Sequence, residues 1–308
     1  DQATKAMSDY KIPAWETDTY ELLDFGNGRK LERFGDFILD RNSPAAEAIR
    51  PLNPAIWQRA HARFPGHVPD ELSRPWGLRF RLDPSLAQSE LNLQLKLTPF
   101  GHVGIFPEQF GNWQWLFNEV RYYQPTKLRA LNLFAYTGAA TLAMAAAGAE
   151  VVHIDSSSPA VAWARKNAHL SGLDGCPIRW IVEDAFKFLA REFRRGAEYD
   201  VIVLDPPSFG HTASGKNWSL AERWQELLTG CLQLLPIERR CLLLWTGHSV
   251  FPSTEQLSDR LMESRQGKQS IGRSELTTAT GRKLDAGYFL RAELAGHCPS
   301  DPKPMVLQ

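Results

Sequence analysis

The residues of this chain best placed to do chemistry are three aspartates, each directly after an apolar run. Asp155 follows Val151-Val152-His153-Ile154, Asp184 follows Ile181-Val182-Glu183, and Asp205 follows Val201-Ile202-Val203-Leu204 and leads into Pro206-Pro207-Ser208-Phe209. Open parallel sheets bind ligands beyond the C-terminal ends of their strands, so carboxylates placed there face a ligand crevice. An acid ending the second strand of such a sheet can accept both hydroxyl hydrogens of a ribose. An acid ending the third can accept from the amino group of adenine. A second use competes with these, because an Asp at a strand end often caps the following helix.

The loop after the first strand narrows the ligand. It reads Ala135-Tyr136-Thr137-Gly138, with one glycine where a pyrophosphate-cradling dinucleotide loop has three. Asp155 stands about 17 residues after Gly138, near the ribose-acid spacing of nucleotide folds. A nucleoside without a pyrophosphate fits this set, and S-adenosylmethionine is one: an amino acid, a ribose and an adenine joined at a sulfonium. Transfer of its methyl group needs alignment of acceptor, methyl and sulfur more than acid–base help. Two prolines stiffen the turn after the fourth strand. Its carbonyls can accept from an amine, Phe209 can stack on a base, and Asp205 can orient the acceptor. Asp205, Pro206, Pro207 and Phe209 are therefore the expected catalytic set, with a plain rigid turn and a core aromatic as the competing readings.

The elements that must position these residues follow from periodicity. Strands are expected over 128–134, 150–155, 178–182, 199–204 and 241–245, and helices over 139–147, 158–170, 185–193, 220–235 and 254–263. Ser158-Pro159 reads as an N-cap followed by proline at the first helical position. Strict alternation of strand and helix predicts a parallel sheet covered on both faces. Two further strands, near 270–276 and 287–294, lack a helix between them and predict a terminal hairpin with an antiparallel strand. Before residue 100 the pattern differs. Gly26-Asn27-Gly28 marks a tight turn, residues 31–39 form its partner strand, and 79–82 and 91–97 alternate with period two. A helix is expected within 45–64. The expected organisation is a flexible leader over 1–16, a small mostly-β domain over 17–100 that recognises substrate, and a cofactor-binding α/β domain over 101–308.

The runs Leu131-Asn132-Leu133-Phe134-Ala135-Tyr136-Thr137-Gly138, His153-Ile154-Asp155, Val182-Glu183-Asp184-Ala185 and Asp205-Pro206-Pro207-Ser208-Phe209-Gly210 resemble the class I S-adenosylmethionine-dependent methyltransferases, and within them the large-subunit (23S) ribosomal RNA enzymes acting on cytosine or guanine. Gly104-Ile105-Phe106-Pro107-Glu108-Gln109 and Gly281-Arg282-Lys283-Leu284-Asp285-Ala286-Gly287 match the same group, so the resemblance spans about residues 20–295. It implies a Rossmann-like, seven-stranded sheet with an antiparallel last strand. It also implies a cofactor site drawn from Phe106, Gln109, Asn132, Phe134, Tyr136, Thr137, Gly138, Asp155, Ser156, Asp184, Ala185 and Asp205. In the branch that methylates cytosine C5, a cysteine thiolate must first add to C6 and is expected after the fifth strand. Here that segment reads Trp245-Thr246-Gly247-His248-Ser249, without cysteine, so a nitrogen acceptor is expected instead.

Composition sets the remaining limits. Lys plus Arg and Asp plus Glu both number 35, so no whole-molecule field draws in a polyanion. RNA affinity would need a local basic face, for which Arg29, Lys30, Arg33, Arg79 and Arg81 are the candidates and surface charge pairing the alternative. Cys176, Cys231, Cys241 and Cys298 show no metal-ligand spacing, and no apolar run is long enough for a membrane span. No metal and no membrane are expected, and the cytoplasm is the expected compartment. RNA is the expected acceptor. A protein or small-molecule acceptor is the alternative, favoured by the neutral charge, and a dinucleotide-dependent oxidoreductase or a catalytically silent nucleotide-binding module is the competing class. Residues 210–220, which include His211 and Lys216, read as a lid over the acceptor.

Overall fold

The computed structural model describes residues 19–98, 101–123, 127–211, 217–248 and 251–295. Lys216 and Cys298 lie outside them. The chain opens with β1 (Tyr20–Gly26), β2 (Arg29–Phe34), β3 (Phe37–Asn42) and β4 (Ala62–Phe64), ordered β1-β2-β3-β4 in one sheet with β4 parallel to β3. Asn27 and Gly28 turn the first hairpin with φ of 51° and 72°, the left-handed pair that matches strand twist. The single strand expected over 31–39 is two strands, because the chain reverses at Gly35-Asp36. No α-helix forms over 45–64. Pro51 and Pro54 remove amide donors that a helix interior needs, and the chain makes short 3-10 turns at Pro44–Ala46 and Pro54–Arg59 before β4. A separate hairpin follows, β5 (Trp76–Arg81) with β6 (Glu90–Leu95).

The main sheet is assembled from α1 (Phe110–Tyr122), β7 (Arg129–Leu133), α2 (Ala139–Ala146), β8 (Glu150–Asp155), α3 (Ser158–Leu170), β9 (Ile178–Val182), α4 (Ala185–Arg194) and β10 (Val201–Leu204). After β10 come a small hairpin, β11 (Phe209–His211) and β12 (Asn217–Ser219), and then α5 (Leu220–Leu234), β13 (Cys241–Gly247), α6 (Thr254–Ser264), β14 (Gly267–Thr277) and β15 (Lys283–Leu294). The order is β14-β15-β13-β10-β7-β8-β9, parallel from β13 to β9, with β15 antiparallel to both its neighbours. The expected seven-stranded sheet with an antiparallel last strand is present, beside an N-terminal β-sheet. Strand order reverses at β7, between β8 and β10, which opens the ligand crevice there. The cap of α3 sits one residue earlier than its sequence suggests: Ser157 Oγ accepts from Ala160 N–H at 3.3 Å, placing Pro159 in the first turn.

Alternation along the central strands builds two cores. Val201 and Val203 face one side with Leu242, Leu244, α1 and α2; Ile202 and Leu204 face the other with Leu243, Trp245, α4 and α5. Both faces are covered, which explains why these strands read as continuous apolar runs. The first core does not stop at the main sheet. It runs on through Phe110, Trp113 and Phe117 of α1 into Phe80 and Leu93 of the β5–β6 hairpin and Leu22 and Phe34 of the N-terminal sheet. Polar ties reinforce the junction. Asn167 of α3 accepts from Gln94 N–H at 2.8 Å, and Trp163 Nε1 donates to the Gln94 carbonyl at 2.9 Å. From the β14–β15 turn, Arg282 reaches the buried Asp24 of β1 at 2.7 Å. Burial pushes the Asp24 carboxyl up, but donors from Asn53, Trp57, Leu52 and Phe25 outweigh it and hold it low. Among the described residues, no helix is long and apolar enough to cross a membrane.

Candidate active site

A cleft of about 790 Å³ opens over the C-terminal ends of β7, β8, β10 and β13. Its wall after β7 is the loop 134–138, whose backbone is strained. Phe134 and Tyr136 hold φ of 54° and 48°, a region that bulky residues avoid and that costs on the order of 1–3 kcal/mol each. The surroundings fix it there. Tyr136 N–H donates to Asp155 Oδ2 at 2.8 Å, Thr137 Oγ1 donates to the Gly104 carbonyl at 2.7 Å, and the Thr137 carbonyl accepts from Asn167 Nδ2 at 2.9 Å. Gly138 has φ of 90°, and a Cβ there would stand 3.0 Å from Ala164 Cβ, so only glycine fits without displacement. Beneath the loop, Asn132 Nδ2 donates to Thr141 Oγ1 at 2.9 Å, and Thr141 Oγ1 meets His153 Nδ1 at 3.0 Å. Burial drives His153 down to about 3, so its ring is neutral.

Asp155 ends β8 with both carboxylate oxygens occupied from behind, Oδ2 by Tyr136 N–H and Oδ1 by Ser157 N–H, each at 2.8 Å. Burial pushes its carboxyl above the usual range, and these two amides oppose the shift. Each oxygen retains a lone pair for a further donor. Phe106, Gln109, Asn132, Phe134, Tyr136, Thr137, Gly138, Asp155, Ser156, Asp205, Pro206 and Pro207 all line the one cleft. Phe106 lies 5.5 Å from the Tyr136 ring and 6.2 Å from the His248 ring, centre to centre. Gln109 Oε1 accepts from Asn112 Nδ2 at 2.7 Å, and Asn112 Oδ1 in turn accepts from Arg291. Asp205 is half-buried; burial raises its carboxyl, while His248 and the Thr246 hydroxyl pull it down.

Three expected site residues stand apart. Asp184 does not line the cleft: its Oδ1 accepts from Lys187 N–H at 3.0 Å, so it caps α4, the use that competes with adenine binding. Ala185 is buried as the first residue of that helix. Phe209 lies outside the lining on β11, 76% exposed, and so is not a core aromatic. The lid expected over 210–220 holds β12 and the start of α5, and 212–216 lie outside the described residues. The candidate basic face is largely neutralised: Arg29 pairs with Asp40, Lys30 with Glu32, Arg33 with Glu21, and Arg79 and Arg81 with Glu90.

Sequence reasoning left other cleft residues without a role. Glu108, Arg41, Thr246 and Asp285 all line it, beside Lys30 of the expected basic face. The signal for Glu108 was present in the run Phe106-Pro107-Glu108-Gln109, where an acid beside a helix-starting proline is otherwise read as ordinary first-turn charge. Arg41 gave none, since its place depends on the register of β2 on β3.

The cleft brings together a fixed carboxylate with lone pairs to spare, a single-glycine loop and a rigid diproline turn. The comparisons with known proteins agree. The sequence model of the S-adenosylmethionine-dependent methyltransferases matches residues 76–236, just over half of the chain, and the chain belongs to that family. The S-adenosylmethionine-dependent methyltransferase of Agrobacterium tumefaciens has 36% identity and a TM-score of 0.78, with 91% of each chain covered. Ribosomal RNA large subunit methyltransferase I of Escherichia coli O139:H28 is 42% identical over 219 residues, 66% of this chain and 52% of that one. The protein of the same name from Aeromonas salmonicida is 44% identical over 115 residues, 36% of this chain and 28% of that one. The chain thus spans about half or less of the length of these two ribosomal RNA relatives. Its cofactor is S-adenosylmethionine, and the left-handed Gly138 loop with the fixed Asp155 carboxylate fits that group.

Proposed function

We propose that this methyltransferase modifies a nitrogen of an RNA base, with ribosomal RNA in the cytoplasm as its target, and that residues 17–100 deliver the acceptor. The observation that carries the reading is the extent of the cleft. It runs without interruption from Asp155 and Gly138, past Asp205-Pro206-Pro207, to Lys30, Arg41 and Phe64 on the N-terminal sheet. Cofactor and acceptor ends therefore share one enclosure. In this reading Asp155 holds the ribose, and the loop 134–138 and Gln109 hold the amino-acid end. The cofactor supplies the methyl group. Asp205 and the carbonyls of the diproline turn align the acceptor amine, and Phe209 stacks a base at the cleft edge.

The thiols support nitrogen over C5. Among the described residues no cysteine lines the cleft. Cys241 is buried at the start of β13, where burial raises its thiol to about 11, the opposite of an activated nucleophile. The names of the relatives support RNA. The paired state of the surface arginines favours the second reading, a protein or small-molecule acceptor. The two are separated by incubating tritiated cofactor with unmodified 23S rRNA, cell-extract protein and extracted metabolites in parallel. Label in the RNA, mapped to a base nitrogen, is the expected result; label confined to protein or metabolites would remove the RNA reading. Thermal stabilisation by S-adenosylhomocysteine but not by NAD is expected alongside.

A further inference from the structure

Two carboxylates of this chain are deeply buried near the cleft, and their surroundings differ. Glu32 on β2 is sealed in: Arg41 approaches it at 2.5 Å, Lys30 at 3.1 Å, and the Tyr20 hydroxyl donates to it at 2.8 Å. Removing a carboxylate from water costs several kcal/mol unless such partners compensate, and Glu32 has them. Glu108 does not. It lines the cleft with a side chain only 5% exposed, and its one ion-pair partner among the described residues is His248. That contact, Glu108 Oε1 to His248 Nε2, is 3.7 Å, too long for a hydrogen bond. At that separation a small rotation of either side chain brings the two into hydrogen-bond contact, and both line the cleft. His248 is 45% exposed and so connects this gap to solvent.

We propose that Glu108 and His248 form a proton-accepting pair for the acceptor, in the cleft they share with the Asp205-Pro206-Pro207 turn. The proposal rests on a nitrogen acceptor. When an amine or ring N–H is methylated, the nitrogen forms a bond to carbon, the sulfonium carbon–sulfur bond breaks, and the nitrogen's proton must leave. The proton passes to a Glu108 carboxylate oxygen, then to His248 Nε2 once that contact closes from 3.7 Å to hydrogen-bond distance, and then to water. An acceptor-only carboxylate also selects for the edge it meets: it takes bases that present N–H donors and rejects those that present only carbonyl or ring-nitrogen acceptors. A short 3-10 turn, Pro107–Gln109, runs directly into α1 and fixes Glu108. Gly287 permits the close approach of the Gly247–His248 segment, because a Cβ there would lie 2.4 Å from the Gly247 carbonyl oxygen and 3.0 Å from His248 Nδ1. The charged groups facing the pair are Lys30 and Glu32 on β2, His102 in the loop before the 3-10 turn, and Asp205 after β10. Burial raises the Glu108 carboxyl and Lys30 and His248 oppose it, so its protonation should switch the pair off at a higher pH than an ordinary carboxylate would.

The test uses the full chain, unmodified 23S rRNA transcript and tritiated cofactor in single turnovers across pH. E108Q should lose about 100-fold or more in rate, the usual scale of a general base. Its affinity for S-adenosylhomocysteine by calorimetry should stay within twofold, and the acidic limb of the wild-type profile should disappear. E108D should restore part of the rate, and H248N should show a smaller loss. Infrared difference spectra of wild type against E108Q report the carboxyl's titration without turnover, and should show a protonated band persisting above the ordinary carboxylate range. A rate within threefold in E108Q, a parallel loss of S-adenosylhomocysteine affinity in E108Q and E108D, or a methyl group mapped to carbon would each overturn the pair. Label that enters protein instead of RNA removes the RNA reading alone, and the same variants then decide the pair on that acceptor.

Discussion

Replacing Asp155 by Asn changes one atom and should do more damage than the isosteric shape suggests. Both carboxylate oxygens accept a backbone N–H, from Tyr136 and from Ser157. An asparagine has one oxygen, so its NH2 must face one of the two amides, donor against donor. An unsatisfied buried donor costs about 1–3 kcal/mol. If the amide lost is that of Tyr136, the strained left-handed loop loses one of its restraints, and the cofactor wall loosens with it. The ribose hydroxyls would lose a charged acceptor as well, worth about 1.5–3 kcal/mol, or roughly 10- to 150-fold in affinity. The expected result for D155N is a weakening of S-adenosylhomocysteine binding by about 10- to 150-fold, read by calorimetry, with a lower unfolding midpoint in urea. D184N is the control. Asparagine caps a helix as well as aspartate does, and Asp184 stands outside the cleft lining, so its binding should fall by no more than about threefold. Equal losses in the two variants, or a larger loss in D184N, would refute the assignment of the ribose acid to β8.

The buried, neutral His153 should make the protein acid-sensitive. The folded state holds its ring down to about 3 against an ordinary value of 6.5, so the unfolded chain binds the extra proton. Stability from this group is complete above about pH 6.5 and falls as pH drops toward 3, by about 2 kcal/mol at pH 5; urea midpoints from pH 7 to 5 should follow that slope in wild type and lose it in H153Q. The Asp24–Arg282 contact should act as a latch: D24A leaves a guanidinium and several donors without their acceptor and should cost about 3–5 kcal/mol in urea unfolding, whereas a loss below 1 kcal/mol would mean that solvent replaces it. Thiols should be dispensable for methyl transfer: C241A and C231A should retain the wild-type rate, and wild type should form no adduct with 5-fluorocytidine-substituted RNA, since a covalent RNA–protein band would contradict a nitrogen acceptor.

The α/β half was legible because its signals are local. Glu150–Asp155, Ser158–Leu170 and Ile178–Val182 coincide with the strand, helix and strand read from periodicity, Pro159 and the flanking glycines. Helix α1 was not anticipated. Its Phe, Trp, Asn and Tyr residues are weak helix formers, and the helix exists because Phe110, Trp113, Phe117 and Val120 share one buried face between two sheets. The opposite error occurred at 45–64, where a helix was expected but proline spacing left no stretch long enough to nucleate one. At the site, residues after strands were legible from topology, whereas Asp184 illustrates a limit. A capping carboxylate and a ligand carboxylate have the same sequence signature, and only the position of the side chain separates them. Glu108 and His248 lie 140 residues apart, and no local pattern joins them.

The core shared by the N-terminal sheet, the β5–β6 hairpin, α1 and the main sheet has a mechanical consequence. A platform welded through packed aromatics cannot swing like a hinged clamp, so it presents a fixed aperture. The acceptor must therefore be the partner that moves to reach the cleft. Exchanging the platform between relatives would mean transplanting the matching face of α1 with it.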